Sequence, residues 1–147
     1  MREDFLAGAG SSFLDEDERR EILSLCDEKQ LAAEQLLFDY QEPGETVYFL
    51  MDGRLGVHKL TGFQEKMQVI ALLDPGAVVG EAALFGGHVR RTRVTAIEES
   101  RLLCLERKKI VGLQESSPQT AFHLVEYFFH VTHLRLEKTS ERLARIL

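Results

Sequence analysis

The residues with the most chemistry to offer stand in one stretch: Val79-Gly80-Glu81-Ala82-Ala83-Leu84-Phe85-Gly86-Gly87-His88-Val89-Arg90-Arg91-Thr92-Arg93-Val94. Glu81 supplies a carboxylate that can accept a hydrogen bond from a sugar hydroxyl. Ala82 and Ala83 are small enough for their backbone N–H groups to approach an anion, above all at the start of a helical turn. Arg90 brings a planar fork of donors that can grip two phosphate oxygens at once. Gly80 supplies a backbone angle, or room, that a side chain would take away. Together these parts suit a ribose joined to a phosphate. No activated serine or cysteine and no metal triad can be read here, so the expectation is a binding site and not an enzyme.

Three arginines compete for the phosphate. Strand alternation would put Arg90 and Thr92 on one face and Arg91 and Arg93 on the other. Thr92 adds a hydroxyl donor beside Arg90, and the backbone N–H of Arg91 is available if its side chain points away.

The elements that must position these groups follow from texture. Between Leu36 and Leu105, short apolar runs alternate with the turn signals Pro43-Gly44, Asp52-Gly53, Thr61-Gly62 and Asp74-Pro75-Gly76. Asp52-Gly53 reads as a hairpin turn between Val47–Met51 and Arg54–Lys59. Repeated short strands with regular turns predict an antiparallel sandwich or barrel. Ahead of them, Phe13 to Cys26 has helical spacing, with Asp15 as cap and Glu18 in the capping-box position. Residues 1 to 10 read as a loose terminus.

After Leu105 the helical pattern returns. Arg107 to Leu113 forms a short helix that Gly112 weakens, and Ser116-Ser117-Pro118 starts a second one. From Gln119 to Leu147 there is no proline or glycine. Apolar and small residues recur there at alternating steps of three and four: Phe122, Val125, Phe129, Thr132, Leu136, Thr139, Leu143 and Ile146. That seam fits a parallel homodimer through this helix. A helix packed only on its own domain is the other reading.

The Gly-Glu-x-Ala-Leu-like run, the short loop and the following arginine resemble the phosphate-binding cassette of cyclic nucleotide-binding domains. The resemblance extends from about Leu36 to about Leu136. Glu42-Pro43-Gly44-Glu45 and the run from Val47 to Val57 look like the family's glycine-punctuated early strands, and Leu72 to Glu81 like the turn into the cassette. The resemblance implies a mainly β domain with flanking α: an antiparallel β-roll of jelly-roll type, an N-terminal helix, a short cassette helix and a long C-terminal dimerisation helix. One domain over residues 1–147 is expected, with a helical segment 1–35, a roll 36–105 and C-terminal helices 106–147.

The resemblance also implies a cyclic AMP or cyclic GMP ligand and the sensor of a transcription-regulator-like protein. It makes Arg90 the phosphate ligand, by its distance from Gly80 and from Val94, with Gly80, Ala82, Ala83, Arg91 and Thr92 around it. It makes Glu81 the ribose ligand. For the base, the apolar wall is expected from Val57, Val69 and Leu72. Polar contacts are expected from Tyr127, Thr132, His133 and Arg135 on the long helix, with Thr132 and Arg135 the stronger candidates. The pattern departs from the family at Val89, where proline is common, and at Arg91 and Arg93, where small or apolar residues are usual.

Composition sets the outer bounds. The chain has 147 residues, 44% of them apolar, 29% charged, and a net charge of −6. This suits one soluble domain and argues against non-specific nucleic-acid binding. The family's regulators carry a helix-turn-helix module after the long helix, and none reads here before Leu147, so no DNA binding by this chain alone is expected. No apolar run of about 18 residues is present and no signal peptide is visible, so no membrane partner and a cytoplasmic location are expected. Cys26 and Cys104 lie far apart and suit free thiols. No cofactor is required. His130 and His133, three residues apart on the long helix, keep a rival open in which the roll senses haem or another small effector. A ligand-free dimerisation module is a third reading.

Overall fold

The apolar runs of this chain need two faces to cover, and two sheets provide them. The structure, a computed structural model, describes residues 12–62 and 66–147. The loose terminus expected over residues 1 to 10 lies outside them. Among the described residues one helix precedes the sheets, α1 (Glu16–Ser24). Eight strands follow: β1 (Asp27–Leu31), β2 (Leu36–Phe38), β3 (Thr46–Asp52), β4 (Leu55–Leu60), β5 (Met67–Leu73), β6 (Val78–Val79), β7 (Arg93–Ala96) and β8 (Ser100–Glu106). Two helices close the chain, α2 (Arg107–Ser116) and α3 (Pro118–Ile146). The strands form two four-stranded antiparallel sheets, ordered β1-β8-β3-β6 and β2-β7-β4-β5. This is the mainly β, jelly-roll-like architecture with flanking helices that the sequence implies.

The first sheet is covered on both faces, which explains why β3 and β8 are nearly continuous apolar runs instead of alternating ones. Leu50 and Leu102 point toward the second sheet and pack with Leu37, Phe38, Leu55 and Val94. Val47, Phe49, Leu103 and Leu105 point the other way and pack under Ile22, Ile110, Leu124 and Phe128 of the three helices. A strand from before Leu36 also joins this sheet: β1 pairs along β8 from Asp27 to Leu31. Its first four residues are exposed and polar or charged, so periodicity gave no sign of it.

The hairpin expected at Asp52-Gly53 does not form. Strand β3 pairs with β6 and β8, and β4 pairs with β5 and β7. The turn instead carries the chain from one sheet to the other. Gly53 adopts a φ of +97°, and a Cβ there would sit 2.3 Å from Ser100 Oγ. Gly53 alone uses the positive φ that the pair suits, Asp52 does not, and the turn serves a crossing and not a hairpin. The pairing of β4 with β5 across Thr61-Gly62 is a true antiparallel neighbour pair.

Helix α1 opens with the expected capping box. The Glu18 N–H donates to Asp15 Oδ1 at 2.8 Å and the Asp15 N–H to Glu18 Oε1 at 3.1 Å. The same helix grips the start of α3, with Glu18 Oε2 2.7 Å from His123 Nδ1 and Ser117 Oγ donating to Glu21 Oε2 at 2.5 Å. Helix α2 runs through Gly112 to Ser116. Helix α3 starts with Pro118 in its first turn and buries Thr120, Ala121, Leu124, Tyr127 and Phe128 against the roll. Phe122, Phe129, Leu136, Leu143 and Ile146 of the expected seam stand exposed on a different face. The helix therefore carries two apolar stripes, one used within the chain.

Leu124 is fully buried between α3 and the first sheet. Leu124→Ala is expected to lower the unfolding free energy by about 2–5 kcal/mol, measured by urea denaturation. Lys138→Ala, on the exposed part of α3, is expected to change it by less than about 0.5 kcal/mol.

Candidate functional site

Strands β6 and β7 are separated by a long interruption that runs from Gly80 to Thr92. Its first turn is a 3-10 helix, Glu81–Leu84, entered through Gly80 in the left-handed region at φ +72°. Two constraints meet at that glycine. An L side chain is strained at that φ, and a Cβ there would lie 2.4 Å from Arg90 Nη1. The Ala83 N–H donates to Gly80 O at 3.0 Å and the Phe85 N–H to Ala82 O at 3.0 Å, so the turn is self-supporting. Ala83, expected among the ligand residues, is instead fully buried within this turn, with its N–H already given to Gly80 O.

The other end of the segment is laced to the loop before β3. The Arg90 N–H donates to Glu42 O at 2.8 Å, the Gln41 N–H to Arg90 O at 2.9 Å and the Gly44 N–H to His88 O at 2.8 Å. Arg90 is only 3% exposed. Its guanidinium lies 4.1 Å over the Phe38 ring. Nη2 donates to Thr46 O at 2.6 Å and Nη1 to Gly80 O at 3.3 Å. Arg90 Nε is buried and has no hydrogen-bond partner among the described residues. A buried charged donor without a partner is costly, which marks this position as one where an acceptor would be welcome. Burial pushes the Arg90 pKa down, against the pull of Tyr48 and of Glu42, Glu81 and Glu45.

Between these groups lies a cleft of about 350 Å³, lined by Gly80, Glu81, Ala82, His88, Arg90, Arg91 and Thr92 on one side and by Val57, Ile70, Ala71 and Leu73 on the other. Arg135 of α3 also lines it. It is small for a drug-sized site but within the usual range, with apolar walls and a few convergent polar groups. Glu81 is not open to it without competition. Arg135 Nη1 lies 2.8 Å from Glu81 Oε1, and Thr132 Oγ1 donates to the same oxygen at 3.1 Å. Arg135 Nη2 also donates to Val78 O.

The expected residues divide as follows. Gly80, Glu81, Ala82, Arg90, Arg91 and Thr92 converge on the cleft, and Arg135 joins them. Arg91 lines it beside Arg90: an isolated bridge pairs Val89 with Pro43, strand β7 begins only at Arg93, and the irregular backbone between them does not follow strand alternation. Arg93 is drawn away to Asp39, with Nε 2.8 Å from Oδ1, an ion pair that lowers the Asp39 pKa and raises that of Arg93. Thr132 reaches the site through Glu81 alone. Val69 and Leu72 are each 53% exposed and lie outside the lining. A bulge at Ile70, opposite Val57 and His58, takes Val69 off the inward face; Ala71 and Leu73 face inward with Leu72 outward between them, and Ile70, itself 49% exposed, also lines the cleft. Nothing in the residue pattern announces that bulge. His133 pairs with Glu137 at 3.2 Å on the outer face of α3. Tyr127 is core: its hydroxyl is buried without a partner among the described residues, and burial pushes its pKa up to about 12.

Two residues that sequence reasoning did not single out matter here. Phe38 forms the floor under the Arg90 guanidinium and stacks on Tyr48 at 6.1 Å. His88 lines the cleft beside Arg90. Burial, then Arg90 and Arg91, hold its pKa below the ordinary histidine value. Among the described residues no group of three or more His, Cys, Asp or Glu side chains gathers as a metal site, and no helix is long and apolar enough to cross a membrane.

Known proteins bear on this geometry. Residues 28–117 match the cyclic nucleotide-binding domain family. No curated protein matches the chain. Among solved structures, a cyclic nucleotide-binding domain from Methylobacillus flagellatus is similar with a TM-score of 0.88 at 16% identity, over 99% of this chain and 85% of that one. The N-terminal domain of a transcriptional regulator from Streptomyces coelicolor is similar with a TM-score of 0.73 at 25% identity, over 93% and 91%. The regulatory domain of Toxoplasma gondii PKA, solved with cAMP, is similar with a TM-score of 0.67 at 26% identity, over 76% of this chain and 42% of that one. The first likeness bears on the fold alone. The family match does more, because it runs from β1 through the Gly80–Thr92 segment to α2. The chain belongs to the family of cyclic nucleotide-binding domains.

Proposed function

We propose that this chain is a regulatory sensor of cyclic AMP or cyclic GMP, with no catalytic role, that couples occupancy of the cleft to the position of α3 in a homodimer. The observation that carries the reading is the convergence of Glu81 and Arg90 on one cleft that α3 also touches. Arg90, with a buried and unpartnered Nε, takes the phosphate together with the amide of Ala82 and the hydroxyl of Thr92. Glu81 accepts from the ribose 2′-hydroxyl. The base rests on Val57, Ala71 and Leu73. A neutral apolar wall of this kind accepts either purine, and the cAMP in the PKA regulatory domain of Toxoplasma gondii supports the adenine nucleotide first.

The homodimer reading rests on the unused stripe of α3. Phe129 is 72% exposed and Leu136 63% exposed, on a helix whose other face is already buried. Exposed large apolar side chains in a row mark a surface that associates, and their spacing is that of a parallel helix pair. A haem reading finds less support, since His130 rests against the Phe13 ring at 5.1 Å and His133 is engaged with Glu137.

Cyclic AMP or cyclic GMP at about 100 times its Kd is expected to add about 2.7 kcal/mol of stability and raise Tm by several degrees, while 5′-AMP leaves Tm unchanged. Arg90→Gln is expected to weaken the binding about 10- to 100-fold in calorimetric titration, the loss of a charge-assisted contact of roughly 1.5–3 kcal/mol. Full affinity in that variant, with circular dichroism unchanged, would overturn the assignment.

His88 gives a pH dependence of definite sign. Its pKa in the free protein lies below the ordinary value, and a bound phosphate would raise it. Binding therefore takes up a proton. Affinity is expected to rise as pH falls from 7 through the ordinary histidine value of about 6.5, and to level off below the depressed pKa. His88→Asn should flatten that slope in calorimetric titrations from neutral to mildly acidic pH.

Sedimentation is expected to show a dimer for the unmodified chain and a monomer for Phe129→Glu/Leu136→Glu. A monomer in both would refute the dimer.

A further inference from the structure

We propose that Phe38 is a positioning residue for phosphate binding: its ring seats the Arg90 guanidinium without neutralising it, so the cation meets the ligand with its charge intact. The inference rests on the reading of Arg90 as the phosphate-binding group. A buried charge is ordinarily held by an opposite one. Here the guanidinium lies 4.1 Å over the Phe38 ring, and Phe38 in turn stacks on Tyr48 at 6.1 Å. Glu42, Glu81 and Glu45 act on Arg90 from a distance, and none bonds to it among the described residues. A carboxylate in that seat would cancel the charge and repel an incoming phosphate. A ring face attracts the cation through its quadrupole and takes up none of its N–H groups. Thr46 O and Gly80 O hold the fork, and Nε is left without a partner among the described residues.

The chain is built to put a ring there. Leu36 pairs with Thr95 and Phe38 with Val94, so Leu37 is an extra residue in β2. Plain alternation would set Phe38 on the same face as Leu36, which is 42% exposed. The bulge turns Phe38 inward instead, opposite the buried Val94, and Leu37 and Phe38 are both buried. Bulges beside binding sites commonly re-aim a side chain in this way. The next residue completes the sorting. Asp39, the carboxylate adjoining the seat in sequence, is spent on Arg93 at 2.8 Å. Two neighbouring positions thus treat two arginines differently. The acidic one takes its arginine out of the cleft, and the aromatic one keeps its arginine available at the cleft wall, which Phe38, Arg90 and Val94 all line. Without the ring, Arg90 is free to turn to one of the three acids around it, and a phosphate must then displace that partner.

The test uses the full chain with Phe38→Leu, with Phe38→trifluorophenylalanine, and with Phe38→Leu added to Arg90→Gln. The fluorinated ring keeps its shape and loses the π charge that holds a cation. Calorimetric Kd for cyclic AMP and cyclic GMP is expected to rise about 3- to 30-fold in Phe38→Leu and about two- to fivefold with the fluorinated ring. In the Arg90→Gln background, Phe38→Leu is expected to change Kd by less than about twofold, because the ring acts through the arginine. Unchanged affinity with the fluorinated ring makes Phe38 a packing residue and overturns the proposal. An undiminished effect of Phe38→Leu in the Arg90→Gln background overturns it too, since the ring then acts on the ligand directly or through the fold. A second readout needs no ligand: the Arg90 Nε–H resonance, assigned by its absence in Arg90→Gln. The ring face shields it in the unmodified chain, and it is expected to move downfield in Phe38→Leu. If neither nucleotide binds the unmodified chain, the sensor reading fails and the phosphate role with it. A resonance that moves in Phe38→Leu then upholds the seat alone, and one that stays refutes it as well.

Discussion

A guanidinium buried without a facing carboxylate is expensive, and this protein is organised around one. Moving a cation out of water costs several kcal/mol unless donors find acceptors. Arg90 meets that cost with two backbone carbonyls and an aromatic face, from Thr46, Gly80 and Phe38. Each of the three comes from a different part of the chain. Thr46 begins β3, Phe38 ends β2 and Gly80 follows β6. Arg90 therefore ties the two sheets and the 3-10 turn at one point. The glycine at position 80 answers the same need, because any side chain there would collide with the guanidinium. The acidic residues nearby, Glu42, Glu45 and Glu81, lower the cost without forming a direct pair.

That arrangement leaves the polar centre of the site poised between two sets of partners. Glu81 Oε1 already takes two donors, whereas Arg90 Nε has no partner among the described residues. An external anion would thus gain more from Arg90 than it takes away, while a sugar would have to compete for Glu81. The two halves of one ligand meet different thermodynamic terms in the same cleft. Under the proposed sensor function, such an imbalance would let binding energy be converted into movement of a helix, since a ligand shifts a conformational balance only by its differential affinity for the two states.

Much of this was legible in the residues. The capping box at Asp15 and Glu18, the start of α3 at Pro118 and the cassette from Gly80 to Thr92 all follow local rules that side-chain chemistry states openly. Pairing partners did not. The crossing at Asp52-Gly53 looks like a hairpin because turn chemistry specifies backbone angles and not which strand lies alongside. Strand β1 stayed hidden because an exposed edge strand needs no apolar period. The inward set of β5 was missed for a third reason: one bulged residue turns Val69 out of the register of Ala71 and Leu73, while Leu72 between those two faces out by plain alternation. Contacts of Arg135 and Thr132 with Glu81 join residues more than fifty positions apart, and no local pattern encodes them.

Helix α3 continues alone past the point where it last touches the roll. From Arg135 to Ile146 it spans eleven residues at about 1.5 Å each, an arm of roughly 16 Å. Its fulcrum is the small set of contacts that Arg135 and Thr132 make with Glu81 and the Val78 carbonyl. A tilt of about 10° there would sweep the far tip by roughly 3 Å, a distance comparable to a hydrogen bond, while the roll itself stays still. Mechanical advantage is thus built into the length of the helix. A displacement too small to disturb the packed sheets is large enough, at the end of the arm, to make or break contact with whatever lies beside it.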